Sequence, residues 1–294
     1  MLLDKLREIR KLAIISLFSD DDLMDIFVLK GGNALDIVYN ISGRASIDID
    51  VAMENDFSEN ELESVKEKLI RAFEVTFQDA NYIAFDFKFA PRPSEIKNEL
   101  KNFWGGYRLE FKLTEKNKYE KSKNNLDLLR KTALDIDENQ KKTFKIDISK
   151  YEFCKGKKEK ELDELTIYVY TPLMIICEKL RAICQQMELY RKIVPTNRKG
   201  RAKDFFDIYV IDTIIETPIN LTIPENFDLL KEIFKIKKVP LELLGKIDKE
   251  REFHRDSFWE VKNSVYNEQN IKDYDFYFDY VLNKVNQLKS PGVI

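Results

Sequence analysis

Along the first half of the chain, apolar and polar residues alternate in short runs. Along the second half, the apolar residues recur every three or four positions. A period of two is that of a strand with one buried face, and a spacing of three and four is that of a helix with a buried stripe. Strands are therefore predicted at Ile47, Ile49 and Val51, at Ile83, Phe85, Phe87 and Phe89, at Tyr107, Leu109, Phe111 and Leu113, and at Phe144, Ile146 and Ile148. Residues 1–16 read as a helix with Leu2, Leu6, Ile9 and Ala13 near helical spacing. Phe27-Val28-Leu29 leads into a Lys30-Gly31-Gly32-Asn33 turn, and Ala34 to Tyr39 continues as helix. Ser58 to Glu61 has the form of a capping box ahead of Leu62, Val65, Leu69, Ala72 and Phe73, an amphipathic helix. Residues 114–143 are polar and lysine-rich apart from Leu126–Leu129 and read as an insertion.

From Pro172 the pattern is helical. One helix carries Ile176, Leu180, Ile183 and Met187, with Lys179 at the edge of that stripe. A second, from about Lys203, turns Phe205, Ile208 and Ile215 inward and places Asp204 and Asp207 on one face. Weaker helices are predicted at 225–237, 257–266 and 273–288, the last with a stripe of Phe278, Val281, Leu282 and Val285. The lysine-rich stretch 155–163 is the expected boundary. The pattern predicts an α+β protein of two lobes: residues 1–154, a mixed sheet with flanking helices, and residues 155–294, mainly helical.

Candidate chemistry concentrates in Arg44-Ala45-Ser46-Ile47-Asp48-Ile49-Asp50-Val51. As a strand, this puts Asp48 and Asp50 side by side on the face opposite the three apolar residues. Two such carboxylates repel each other unless a cation neutralises them. Oxygen-only ligands suit Mg²⁺ (or Mn²⁺), which takes one or two carboxylates plus substrate phosphates. The glycine turn just upstream could bring backbone N–H groups to those phosphates. Asp147 occupies a polar position of the Phe144–Ser149 strand. If that strand neighbours the first, three carboxylates can hold two ions, one activating an attacking hydroxyl and one stabilising a leaving pyrophosphate. The plainer reading is an edge strand with a solvated face. The turn and the third acid together favour a nucleotide-handling site.

These residues carry a family resemblance. Lys30-Gly31-Gly32-Asn33-Ala34-Leu35, Arg44-x-Ser46-x-Asp48-x-Asp50, Glu178-Lys179-Leu180-Arg181-Ala182 and Arg201-Ala202-Lys203-Asp204-Phe205-Phe206-Asp207 resemble, in order, the blocks of nucleotidyltransferase toxins of the AbiEii type. These belong to the DNA polymerase β-like superfamily. The resemblance spans residues 30–207 and implies that the first lobe is the nucleotidyltransferase lobe and that the triphosphate lies between the lobes. It further implies catalytic roles for Asp48, Asp50, Lys179 and Asp204, the last either in catalysis or in orienting Lys179 or Lys203. Asp147 is expected to join them from its place on the Phe144–Ser149 strand, helping to deprotonate the acceptor hydroxyl. Triphosphate contacts are implied for Lys30, Gly31, Gly32, Asn33, Arg44, Ser46, Lys179 and Lys203. Asn33 stands where the superfamily has Ser or Thr, and an Asn side chain can also donate to a phosphate.

Composition restricts the classes further. The 294 residues are 44% hydrophobic and 34% charged, enough for a sizeable core under a well-solvated surface. No stretch approaches the ~20 apolar residues of a membrane span, and the amino-terminal residues mix both charge signs, unlike a secretion signal. Cys154, Cys177 and Cys184 make no disulfide framework, and with a single histidine, His254, neither zinc-ligand spacing nor Ser-His-Asp chemistry is expected. The cytoplasm is the expected compartment. The net charge of −3 gives no global attraction to nucleic acid. Arg191, Lys192, Arg198, Lys199, Arg201 and Lys203 nevertheless crowd an acid-free stretch with Pro195, Asn197 and Gly200, a candidate loop for binding acceptor phosphates.

The expected function is Mg²⁺-dependent transfer of a nucleoside monophosphate from a nucleoside triphosphate to an acceptor hydroxyl. The resemblance implies RNA, at the 3′ end of tRNA, as acceptor, growth arrest or abortive infection as consequence, and a cognate antitoxin resembling the AbiEi type as partner. Transfer to a protein or a small molecule such as an antibiotic is the alternative within enzymes. A non-catalytic triphosphate-binding module is the alternative outside them.

Overall fold

The structure is a computed structural model that describes residues 2–41, 43–136, 140–265 and 271–289. The chain forms two units, Met1–Val38 with Ile47–Val169, and Tyr39–Ser46 with Tyr170–Ile294.

The first unit is built on a seven-stranded mixed sheet. Its strands are β1 (Val28–Lys30), β2 (Ile49–Ala52), β3 (Tyr82–Arg92), β4 (Gly106–Glu115), β5 (Phe144–Ser149), β6 (Lys158–Leu162) and β7 (Leu165–Val169), in the order β3-β4-β5-β2-β1-β7-β6. β2 runs parallel to β5 and antiparallel to β1, while β4 is antiparallel to both β3 and β5. Its helices are α1 (Leu2–Phe18), α2 (Asp21–Ile26), the single turn α3 (Gly31–Asn33), α4 (Leu62–Asp79), α5 (Lys116–Ser122) and α6 (Leu126–Thr132). The turn α3 continues as a wide helix over Ala34–Val38. The stretch read as an insertion thus supplies α5 and α6, and its residues 137–139 lie outside the described residues.

Alternation is what makes the sheet one-sided. Ile49, Val51, Ile146, Ile148, Leu109 and Phe111 are all buried, and α1 and α4 pack over the sheet. Phe73 and Phe77 of α4 meet Phe111, with centroids 5.0 and 5.7 Å apart, and Phe111 stacks on Phe144 at 5.4 Å. Truncating one such core ring typically costs ~3–5 kcal/mol. The opposite face carries the acids, so its chemistry is separate from what holds the unit together. At the start of α4, Glu61 accepts from the Ser58 backbone N–H at 2.8 Å, half of the predicted capping box.

The stretch 155–163, expected as the boundary, contains β6. The β6–β7 hairpin closes the edge of the sheet, with Lys158, Glu159, Lys160 and Glu161 exposed. Charged residues suit a strand whose outer edge has no partner. The second unit resumes at Tyr170.

That unit is helical. It contains α7 (Pro172–Cys184), α8 (Glu188–Arg191), α9 (Ala202–Ile214), α10 (Pro224–Ile236), a 3₁₀ stretch at Leu241–Glu250, α11 (Arg251–Arg255), α12 (Trp259–Lys262) and α13 (Tyr274–Asn286). Thr171 caps α7 by accepting from Met174 N–H at 3.2 Å, with Pro172 in the first turn. The apolar α7 is buried between α9 and α10. Phe205 of α9 stacks on Phe278 of α13 at 5.0 Å. The helix expected at 257–266 is the shorter α12, and residue 266 lies outside the described residues. Among those residues, no helix is long and apolar enough to cross a membrane.

Candidate active site

The candidate residues fall into two sets, one in each unit. In the sheet unit, the chain leaves β1 at Lys30 and turns at Gly31, whose φ is +68°. A Cβ on Gly31 would lie 2.6 Å from Asp50 Oδ2. Both the left-handed backbone and the close approach require glycine. Lys30 is buried, with Nζ 3.5 Å from the buried Glu152.

The ladder explains how the acids are presented. Lys30 is the last β1 partner of β2, opposite Asp50, and pairing of β2 with β5 begins at Ile49. Ile47 and Asp48 therefore precede the ladder. Ile47, expected on the buried face, is instead 42% exposed, and Asp48 is exposed on the lead into β2. In place of a ladder bond, the Asn33 side-chain amide donates to the Asp48 carbonyl at 2.7 Å. Asn33 Oδ1 accepts from Arg10 Nη1 at 2.8 Å, and Arg10 lies 3.1 Å from Asp36. Asn33 is fully buried. Burial turns the Asn33 side chain onto the Asp48 backbone.

Asp147 is the register partner of Asp50 on β5. Opposite Asp147 on β4 stands Arg108, which sequence reasoning did not single out. Its Nε and Nη2 donate to the two carboxylate oxygens of Asp147 at 2.6 and 2.8 Å. The signal for Arg108 was present, because it is a polar position in the Tyr107–Leu113 alternation. Only the strand order shows which acid it faces.

Among the described residues, no group of three or more His, Cys, Asp or Glu side chains is placed to hold a metal ion, the set of Asp48, Asp50 and Asp147 included. The donor chemistry of Asp48 and Asp50 nevertheless fits a hard divalent ion. They are two carboxylates on an accessible face, the kind of set that substrate phosphates and water complete.

In the helical unit, Lys179 of α7 is buried, with Nζ 3.0 Å from Asp204 and 2.6 Å from Asp207 of α9. Arg44 grips Asp207 with both Nε (2.8 Å) and Nη2 (2.7 Å). Burial pushes the Asp207 carboxyl up, but Arg44 and Lys179 outweigh it and hold the group at about 2. Burial likewise disfavours the Lys179 ammonium, yet Asp204 and Asp207 raise it above the usual lysine range. Ser46 is half-exposed on the same short segment as Arg44.

Four cations of the basic stretch are paired with acids. Arg191 pairs with Glu188 at 2.6 Å and Lys203 with Glu260 at 3.0 Å, while Arg198 pairs with Glu250 and stacks on Phe253. Arg201 Nη1 lies 3.6 Å from Asp204. Lys192 and Lys199 are exposed. His254, buried, accepts from the Arg201 backbone N–H at 3.1 Å, and so fixes the entry to α9. All three cysteines are buried and free, and burial pushes the Cys154 thiol up to about 12. No thiolate nucleophile is available near neutral pH.

The first unit is thus a mixed sheet that presents an acid pair beside a glycine turn. The chain belongs to the family described as nucleotidyl transferase AbiEii toxin, of type IV toxin–antitoxin systems, whose model matches residues 14–287. It is a nucleotidyltransferase, and the family implies a nucleoside triphosphate substrate and an antitoxin partner. No curated protein matches the chain. Among solved structures, it is similar to a protein from H. pylori assigned as a nucleotidyltransferase, at 15% identity and a TM-score of 0.49, covering 98% of this chain and 94% of that one. It is similar in the same degree to JHP933 from Helicobacter pylori, at 15% identity and 0.49, covering 98% and 93%.

Proposed function

We propose that the chain transfers a nucleoside monophosphate from a nucleoside triphosphate to a hydroxyl at the 3′ end of tRNA, arresting growth, and that an antitoxin resembling the AbiEi type restrains it. The observation that carries this reading is the pairing of an exposed Asp48 and a neighbouring Asp50 with a glycine turn passing against the Asp50 carboxylate.

Asp48 and Asp50 are the residues that hold Mg²⁺, and Mn²⁺ suits the same oxygens. When bound, the ion offsets phosphate charge and stabilises the leaving pyrophosphate. The turn at Gly31 and Gly32 offers backbone N–H groups to the phosphates. Asn33 keeps Asp48 in place through its carbonyl. Asp147 takes the proton of the acceptor hydroxyl as its oxygen bonds to the α-phosphorus. The bond from that phosphorus to the bridging oxygen breaks, and pyrophosphate leaves with the electron pair.

Lys179, Asp204, Asp207 and Arg44 order α7, α9 and the Tyr39–Ser46 segment. Lys192 and Lys199, the exposed cations of the basic stretch, contact acceptor phosphates. The compensation of Arg191, Arg198 and Lys203 by glutamates favours a second reading, in which the acceptor is a protein or small molecule that needs no broad cationic surface. One assay separates the two: incubation with each labelled triphosphate, Mg²⁺ and total cellular RNA, then gel separation. Label in the tRNA band supports the first reading, and label on protein or in small products supports the second. No transferred label with any triphosphate overturns both.

A further inference from the structure

Four residues stand level on neighbouring strands of the sheet: Lys30 on β1, Asp50 on β2, Asp147 on β5 and Arg108 on β4. Two like charges therefore stand side by side, on strands that pack ~4.8 Å apart. Neighbouring like charges repel, and the row sets a cation beside each acid: Lys30 next to Asp50, and Arg108 next to Asp147. The planar guanidinium of Arg108 engages both oxygens of Asp147, at 2.6 and 2.8 Å, the bidentate geometry that Lys cannot reproduce. Both side chains are partly open to solvent, at 19% and 30%, so the pair can separate without unpacking the core.

A carboxylate held this way cannot at the same time bind an ion or take up a proton with those lone pairs. A divalent ion on Asp48 and Asp50 and the Arg108 guanidinium beside Asp147 would neutralise the same row of charge, so the two oppose each other. We propose that Arg108 is the resident counter-ion of this acidic face: it keeps Asp147 oriented while no divalent ion is bound, and its release from Asp147 sets the ion concentration at which the site becomes competent. This rests on the reading of Asp48 and Asp50 as the residues that hold the ion and of Asp147 as the acid beside them.

The test is Mn²⁺ binding to the full chain without nucleotide, followed by the electron paramagnetic resonance signal of the free ion. Arg108→Gln should bind Mn²⁺ about tenfold more tightly than the parent, a gain of ~1.4 kcal/mol. Arg108→Lys, which keeps the charge and loses the fork, should fall between them. In an Asp147→Asn background, Arg108→Gln should no longer change affinity, an outcome that a merely structural role for Arg108 would not produce. Affinity in Arg108→Gln and Arg108→Lys equal to or weaker than the parent's overturns the inference. Asp50→Asn keeps the two failures apart. If it binds as tightly as the parent, or if neither the parent nor Arg108→Gln binds, the reading of Asp48 and Asp50 as ion ligands falls together with the inference. If it loses binding while Arg108→Gln stays at parental affinity, the inference alone falls.

Discussion

The side-chain amide of Asn33 donates to the backbone carbonyl of Asp48 at 2.7 Å, tying the glycine turn to the lead into β2. Asn33→Asp keeps an oxygen for Arg10 and loses the donor to Asp48, placing two acceptors against each other. Transfer should fall at least about tenfold, and the protein should lose ~1–3 kcal/mol, the usual cost of an unsatisfied buried group. Activity and urea unfolding measured on the same preparation check this. Parental transfer would remove Asn33 from the site.

Asp48→Ala and Asp50→Ala should each abolish transfer while leaving stability within about 0.5 kcal/mol of the parent, as substitutions off the core usually do. The apolar contacts of β2 are made by Ile49 and Val51 on the other face. Thermal midpoints beside transfer rates separate the roles. A collapsed midpoint would make these acids structural, and undiminished transfer would place the chemistry elsewhere.

The buried set of Lys179, Arg44 and Asp207 should be the most sensitive part of the helical unit. Asp207→Asn strips the charge that compensates two buried cations and should cost ~3–5 kcal/mol. The sign with pH follows from a folded carboxyl held at about 2 against an ordinary 3.8. Its contribution is full above about pH 4 and is lost as pH falls toward 2. Urea midpoints of the parent across that window, compared with pH 7, are the measurement, and a parent as stable at pH 2.5 as at pH 5 contradicts the assignment.

His254 acts at milder pH. Burial is the main reason its imidazole is held down at about 4 from an ordinary 6.5, with Arg201 and Arg198 adding to it against the pull of Asp204. The unfolded chain therefore takes up a proton that the folded chain refuses between those values. Stability should be full above about pH 6.5 and decline toward pH 4, by roughly 3 kcal/mol over the window. His254→Gln should flatten the profile of thermal midpoint between pH 7.5 and 5. An equally steep profile in the variant would assign the decline to other groups.

What the sequence revealed followed from periodicity. The Ile49/Val51 alternation placed Asp50 on a polar face, the Phe144–Ile148 alternation did the same for Asp147, and the apolar stripe of α7 marked a buried helix. What it concealed was set by pairing between distant segments. Nothing near Asp147 in the chain announces Arg108, because the two meet only through the β4–β5 register. The exposure of Ile47 depends on where β1 ends, not on its own neighbours. The charged run Lys158–Glu161 carries no apolar alternation, and it becomes a strand because the β7 edge is there to receive it. Asn33 is an ordinary turn residue by composition, and its task appears only once the ladder is seen to begin at Ile49, one residue after Asp48.

The residues between the glycine turn and the acid strand belong to the helical unit: the chain crosses into it at Tyr39, spends Arg44 on Asp207, and returns at Ile47. Neither unit is therefore a continuous piece of polypeptide. A cut at Val169 would leave the amino-terminal fragment carrying an arginine whose carboxylate has gone with the other piece, and the carboxy-terminal fragment a buried aspartate without its guanidinium. The two pieces should be made and folded as one chain, and a gene split at that point would not yield a working half.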